Sequence, residues 1–245
     1  MIEIRNQEPS GPDWARRAYE GFDYESIRQP DSLYRWLLRL LRVKPAQSLL
    51  DVACGQSPLV RLSSEMGLNA CGVDYAHTAL NAVRQTGPGA YVTGDAERLP
   101  FPDDGFDYVA SVGSLEHYMD MERGARELAR VLHPDGCAVL LLPNTFSLLC
   151  NVYYAFKTGW PINEGQPLQR YASRRQWEQL LESNGLCIRR VVKYEYPRPA
   201  SLAGFMQYVR RPKLLLRLLL APFVPLNLAN CFVFLCGKAA GEEVV

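Results

Sequence analysis

The stretch from Ser48 to Leu59, SLLDVACGQSPL, constrains the fold more than any other part of the chain. Leu49, Leu50 and Val52 form a short apolar run, as a strand buried on both faces does in a parallel sheet. The run breaks at once into Ala53, Cys54, Gly55, Gln56 and Ser57. A turn of small residues lets a ligand approach the backbone closely, and the helix after it aims free amides and a positive dipole end at that ligand. Asp51 stands at the end of the strand, where a carboxylate can meet a cationic group.

The strand-then-helix pattern recurs. Asn69 to Val73 reads as a second buried strand ending in Asp74, Tyr91 and Val92 as a third ending at Gly94-Asp95, Phe106 to Val112 as a fourth and Cys137 to Leu142 as a fifth. Helices are predicted over Pro58 to Met66, His77 to Arg84 and Met121 to Leu132. Gly67, Gly87-Pro88-Gly89 and His133-Pro134-Asp135-Gly136 stop them. Upstream, Leu33, Trp36, Leu37, Leu40 and Leu41 share one face of a helix that Asp31 can cap. Downstream, a capping box from Ser173 to Gln176 opens a helix that ends at Gly185. Leu186 to Tyr194 and Ala229 to Gly237 read as the last two strands. Such alternation predicts an α/β, doubly wound sheet. Right-handed crossovers then bring Asp51, Asp74, Asp95 and Ser111 to one edge, and four polar strand ends on a common edge make a ligand site.

The 245 residues suffice for one α/β domain with insertions, and a net charge of +1 gives no bulk attraction for nucleic acid. The opening MIEIRNQEPSGPDW lacks a basic, then apolar, signal pattern, so a cytoplasmic location is expected. The seven cysteines show no close paired spacing, which favours reduced, buried thiols over zinc or disulfides. The expected organisation is one domain: an N-terminal cap over residues 1–30, a binding core over 31–143, insertions over 144–172 and 197–229, and sheet-completing segments over 173–196 and 230–238.

Companion segments reinforce the turn: GVDYA at the end of the second strand, GDAERLPFPDDGFDYV around the third and fourth, then SLEH, RELARVLHPDG and LLPN. With them, the chain from about Ser48 to Pro143, and more weakly to Gly185, resembles the class I S-adenosylmethionine-dependent methyltransferases. Ala53-x-Gly55-x-Ser57 stands where that family commonly has Gly-x-Gly-x-Gly. The resemblance implies a Rossmann-like, mostly parallel sheet of seven strands, the last antiparallel, with helices on both faces and capping insertions. It also implies S-adenosylmethionine as cofactor, with Asp51 near its ammonium and Ala53 and Gly55 under its methionine part. Asp74 would then meet the ribose hydroxyls, which suits an ionised carboxylate. Tyr75 would pack beside the adenine, Asp95 and the Ala96 amide would meet the adenine edge, and Ser111 and Val112 would line the sulfonium side. The rival cofactor, a nicotinamide dinucleotide, uses a full GxGxxG; here Pro58 stands at the third-glycine position.

The implied reaction is in-line attack on the methyl carbon, for which the protein supplies alignment and desolvation. A base is needed where the nucleophile is a hydroxyl. His117, just after the fourth strand, is the candidate, because its ordinary pKa lies near neutrality; a local hydrogen bond or a cofactor contact is the other reading of the same residue. Glu116 reads as structural, and His77 and His133 carry no assigned chemistry. The expected acceptor is a small molecule, a sugar or a lipid-linked molecule, with no nucleic acid.

Residues 210–224, RRPKLLLRLLLAPFV, carry leucines on every side of a short helix, interrupted by Arg210, Arg211, Lys213 and Arg217. Such a helix packs as a lid over the acceptor site or lies in an anionic membrane interface. It is too short and too broken by Pro222 and Pro225 to span one. The lid is the favoured reading. A non-catalytic protein that binds the cofactor and docks a membrane or partner through this segment is the alternative from another functional class.

Overall fold

The structure is a computed structural model that describes residues 1–7, 14–20, 29–195, 199 and 202–240. In chain order the regular elements are β1 (Ile2–Arg5), α1 (Trp14–Glu20), α2 (Asp31–Leu41), β2 (Ser48–Val52), α3 (Leu59–Glu65), β3 (Asn69–Asp74), α4 (His77–Arg84), β4 (Ala90–Thr93) and β5 (Phe106–Val112). There follow α5 (Met121–Val131), β6 (Leu132–Pro143), α6 (Tyr153–Thr158), β7 (Leu168–Tyr171), α7 (Arg174–Glu182), β8 (Leu186–Tyr194), α8 (Leu202–Val209), α9 (Pro212–Leu220) and β9 (Cys231–Lys238). Seven strands form one sheet in the order β4-β3-β2-β5-β6-β9-β8. Only β9 runs against the rest, pairing antiparallel with both β6 and β8. The strand order reverses at β2, whose neighbours are β3 on one side and β5 on the other, and the crevice beyond such a reversal is where open α/β sheets bind ligands.

Period-two alternation divides the core between the two faces of this sheet. Leu50 and Val52 of β2 pack with Leu128, Trp177, Phe232 and Phe234. Leu49, between them, packs on the other face with Leu33, Leu37, Leu62 and Val233. Trp177 is fully buried, and its indole N–H donates to the carbonyl of Pro143, so its one polar atom is satisfied.

Four features differ from expectation. Asp31 is the first residue of α2 rather than its cap, and its carboxylate pairs instead with Arg61 at 2.9 Å. The buried stripe of that helix is Leu33, Tyr34, Leu37, Leu38 and Leu41, so Trp36 and Leu40 lie on its flank. β6 begins straight after α5, with Leu132 already paired to Phe106. The HPDG segment is therefore an irregularity inside a strand. Gly136 sits there so close to the backbone that a Cβ would lie 2.8 Å from the carbonyl oxygen of Asp107. Finally, β1 and β7 form a separate two-stranded antiparallel ribbon that sequence periodicity did not reveal. Arg170 of β7 is buried beside it and pairs with Glu3 of β1 at 2.6 Å.

Candidate functional site

A cavity of about 700 Å³ opens at the C-terminal ends of β2, β3 and β5. Its floor is the Ala53–Ser57 turn. Ala53 has φ of 53° and Gly55 of 49°, so both adopt the left-handed conformation. That conformation costs a residue with a Cβ about 1–2 kcal/mol, which is the physical reason for glycine at such positions; here alanine bears the strain. Asp74 ties the turn to β3: one carboxylate oxygen accepts from the Gly55 amide at 2.7 Å, the other from the Ala76 amide at 2.8 Å.

Asp51 lies beneath the turn, 1% exposed. Burial pushes its carboxyl up to about 7, against a hydrogen bond from Ser57 and with the Asp74 charge adding to the rise. Its Oδ2 has no hydrogen-bond partner among the described residues. Asp95 accepts from the Glu97 amide at 2.7 Å and is hydrogen-bonded by the Tyr75 hydroxyl, which burial pushes well above the ordinary phenol range. Ala96 and Val112 also line the cavity. Ser111 does not: it is buried behind the wall, its hydroxyl 2.8 Å from that of Ser114. Neighbouring strand residues face opposite ways, so only one of the Ser111–Val112 pair can reach the cavity, and Ser114 supplies the hydroxyl there.

His117 lines the cavity with its ring held from behind. Its Nδ1 lies 2.5 Å from the carbonyl oxygen of Leu168. A carbonyl only accepts, so Nδ1 carries the proton and Nε2 keeps a lone pair. Burial and, to a smaller extent, the Arg170 charge push the imidazole down to about 4, against the Leu168 hydrogen bond. Glu116, read from sequence as structural, lines the same cavity. Burial pushes its carboxyl up to about 8, and its Oε2 has no hydrogen-bond partner among the described residues.

Two acids that no motif announced join it. Glu164 is raised by burial, against hydrogen bonds with Gln166 and Tyr171. Glu195 is raised to about 7 by burial while it accepts from the Asn230 amide at 3.2 Å. Each lies outside the recognisable stretch, where a single acid among turn formers carries no spacing signal. Among the described residues, the lining holds seven carboxylates and neither lysine nor arginine.

None of the described residues of 202–228 lines the cavity, whereas Glu164 and Gln166 of the first insertion do. The expected lid over 197–229 is thus not formed by that segment's described residues. Its ends meet at the cavity instead, where the Asn230 amide and side chain hydrogen-bond Glu195. Between these ends Leu202, Phe205, Met206, Leu216, Leu219 and Phe223 are exposed.

The residues fit the cofactor implied above. An orphaned buried carboxylate at Asp51 suits an ammonium, Asp74 keeps further lone pairs for a diol, and small residues leave room over the turn. Residues 50–140 match the family described as a methyltransferase domain. The chain is 30% identical over 133 residues to demethylmenaquinone methyltransferase of Listeria welshimeri, covering 49% of this chain and 56% of that protein. It is 34% identical over 96 residues to a human protein named probable tRNA methyltransferase 9B, covering 38% and 20%. The chain thus spans about half the length of the first and a fifth of the second. The fold is that of an S-adenosylmethionine-dependent methyltransferase from Mesorhizobium loti, with a TM-score of 0.61 at 19% identity over 85% of this chain and 99% of the other. Residues 50–140 thus match a methyltransferase domain, and the seven-stranded sheet around them has the Rossmann-like fold of a solved S-adenosylmethionine-dependent methyltransferase.

Proposed function

We propose that this chain transfers a methyl group from S-adenosylmethionine to a hydroxyl or other nucleophile of a small-molecule, sugar or lipid-linked acceptor. The observation that carries the reading is the orphaned, buried Asp51 carboxylate beneath a strained small-residue turn. When bound, S-adenosylmethionine supplies a methyl group activated by its sulfonium. Asp51 would hold the ammonium, and Ala53 and Gly55 would leave room for the methionine part. Asp74 would take the ribose hydroxyls; Tyr75, Asp95 and Ala96 would frame the adenine. Val112 would line the sulfonium side, with Ser111 supporting Ser114 from behind. His117 would accept the acceptor's proton at Nε2, the nitrogen that the Leu168 contact leaves free. With its pKa near 4, the imidazole is neutral throughout the neutral range, ready to accept but weakly basic.

The acidic lining argues against a phosphate inside the cavity, since phosphates are met by lysine and arginine. That disfavours the nucleic-acid acceptor named for the human relative. The acceptor named for the Listeria relative, demethylmenaquinone, carries no phosphate. A second element of the proposal is a cytoplasmic protein that touches the membrane peripherally. Apolar side chains around α8 and α9 are exposed beside Arg210 and Arg211, although no helix among the described residues is long and apolar enough to cross a membrane. Sedimentation with anionic vesicles tests it.

Calorimetric titration with S-adenosylmethionine and its demethylated product, with NAD as control, tests the cofactor. Binding of the first two, reduced at least about tenfold in Asp74→Ala by loss of a charged hydrogen-bond acceptor, is expected. Binding of neither overturns the reading and favours a non-catalytic docking protein.

A further inference from the structure

We infer that the acceptor enters the cavity through a protonated amino group seated against the Glu116 carboxylate, with Glu164 and Glu195 on the surrounding wall. The inference rests on the methyltransferase reading and names its substrate class. These three acids come from outside the cofactor-binding turns: Glu116 from the segment after β5, Glu164 from the insertion before β7, and Glu195 from the end of β8. They are therefore free to serve a second ligand.

Glu116 carries the argument. Its side chain is 7% exposed, it lines the cavity, and its Oε2 has no hydrogen-bond partner among the described residues. Among the described residues, no lysine or arginine lines the cavity to neutralise it. His117 Nε2 stands 3.8 Å from Oε1, but the ring is neutral. Arg170 directs its guanidinium to Glu3 and to the carbonyl oxygens of Glu116 and Tyr118. A buried carboxylate without a partner costs stability unless it is paired or neutralised. In the free protein, burial favours the neutral carboxyl; an incoming cation would favour the carboxylate.

An ammonium offers three donors and one positive charge, so it can serve two or three carboxyl groups at once. A hydroxyl offers one donor and no charge. A phosphate or carboxylate brings no donor for these orphaned oxygens and would repel whichever of the lining's seven carboxyl groups is ionised. Among these groups the amine is the one that the cavity's charge and its orphaned oxygens both select.

Calorimetry on the protein saturated with the demethylated cofactor tests the inference on two scaffolds. One set is phenethylamine, 2-phenylethanol and phenylacetate; the other is glucosamine, glucose and glucose 6-phosphate. On at least one scaffold the amine should bind about tenfold or more tightly than the neutral compound, with no binding of the anion. Glu116→Gln should abolish that preference while leaving binding of the demethylated cofactor unchanged. Glu195→Gln, which should weaken the preference, serves where the first variant fails to melt cooperatively. Equal binding of amine and neutral compound on both scaffolds overturns the inference, as does tightest binding by an anion or a preference that survives in both variants. Failure of the cofactor reading shows separately, as absence of binding by the demethylated cofactor itself.

Discussion

At Asp51, burial and a hydrogen bond from Ser57 pull the carboxyl in opposite directions, and burial wins, leaving it at about 7. An unfolded aspartate titrates near 3.9, so the folded state binds the proton more tightly. The stability that this gives is fully present below about pH 4 and is lost as pH rises through about 7. Glu116 and Glu195, raised by burial to about 8 and about 7, act with the same sign. The ligand-free protein should therefore melt at a lower temperature at pH 8 than at pH 5. Asp51→Asn should raise the melting temperature at pH 8 by a few degrees, because relieving a buried, unsatisfied carboxylate is worth about 1–3 kcal/mol, and it should also abolish cofactor binding. Scanning calorimetry over this range checks both parts; an Asn variant that melts lower at pH 8 would contradict the assignment of strain to Asp51. The acid at the strand end and the small residues after it were legible from sequence. That Ala53 sits at positive φ was not, because residue identity alone does not report backbone conformation.

The elements most easily read were those whose apolar period runs for a full strand or helix. β2, β3 and β5 are short unbroken hydrophobic runs, and their bounds came within a residue or so of expectation. The β1–β7 ribbon escaped because each strand has four residues, too few to establish a period of two, and each pairs only with the other. What holds it is a side chain: Arg170 is buried and donates to the carbonyls of Glu116 and Tyr118 as well as to Glu3. Arg170→Met should leave those two carbonyls without this donor and destabilise the protein by about 1–3 kcal/mol. Glu3→Gln removes only the half-exposed partner and should cost no more than about 1 kcal/mol. Urea unfolding of both variants makes the comparison. Equal losses would mean that the ion pair, rather than the carbonyl contacts, fastens the ribbon beneath the segment that carries His117.

For the molecule as a whole, alternation of strands and helices was enough to anticipate a doubly wound sheet whose strand ends share one edge, since that follows from crossover handedness, whereas the seven strands with one antiparallel were what the family resemblance implied. The insertions were another matter, because an apolar helix reads alike whether it covers a cavity or faces outward. In the structure Leu202 and Phe223 are 78% and 82% exposed, and none of the described residues between them lines the cavity. Apolar side chains exposed together mark an interaction surface. Exposed Arg210 and Arg211 lie between the two helices that carry them, which is the composition of a segment resting in an anionic membrane interface. The protein should therefore sediment with phosphatidylglycerol vesicles and not with phosphatidylcholine vesicles. Each basic residue near such a surface is worth about 1 kcal/mol, so Arg210→Gln with Arg211→Gln should weaken binding by about tenfold or more, and more at low salt than at high salt. Leu216→Ser with Leu219→Ser should weaken it at every salt concentration, because apolar burial is not screened. Absence of wild-type sedimentation at low salt would end the membrane reading and leave these side chains to a protein partner.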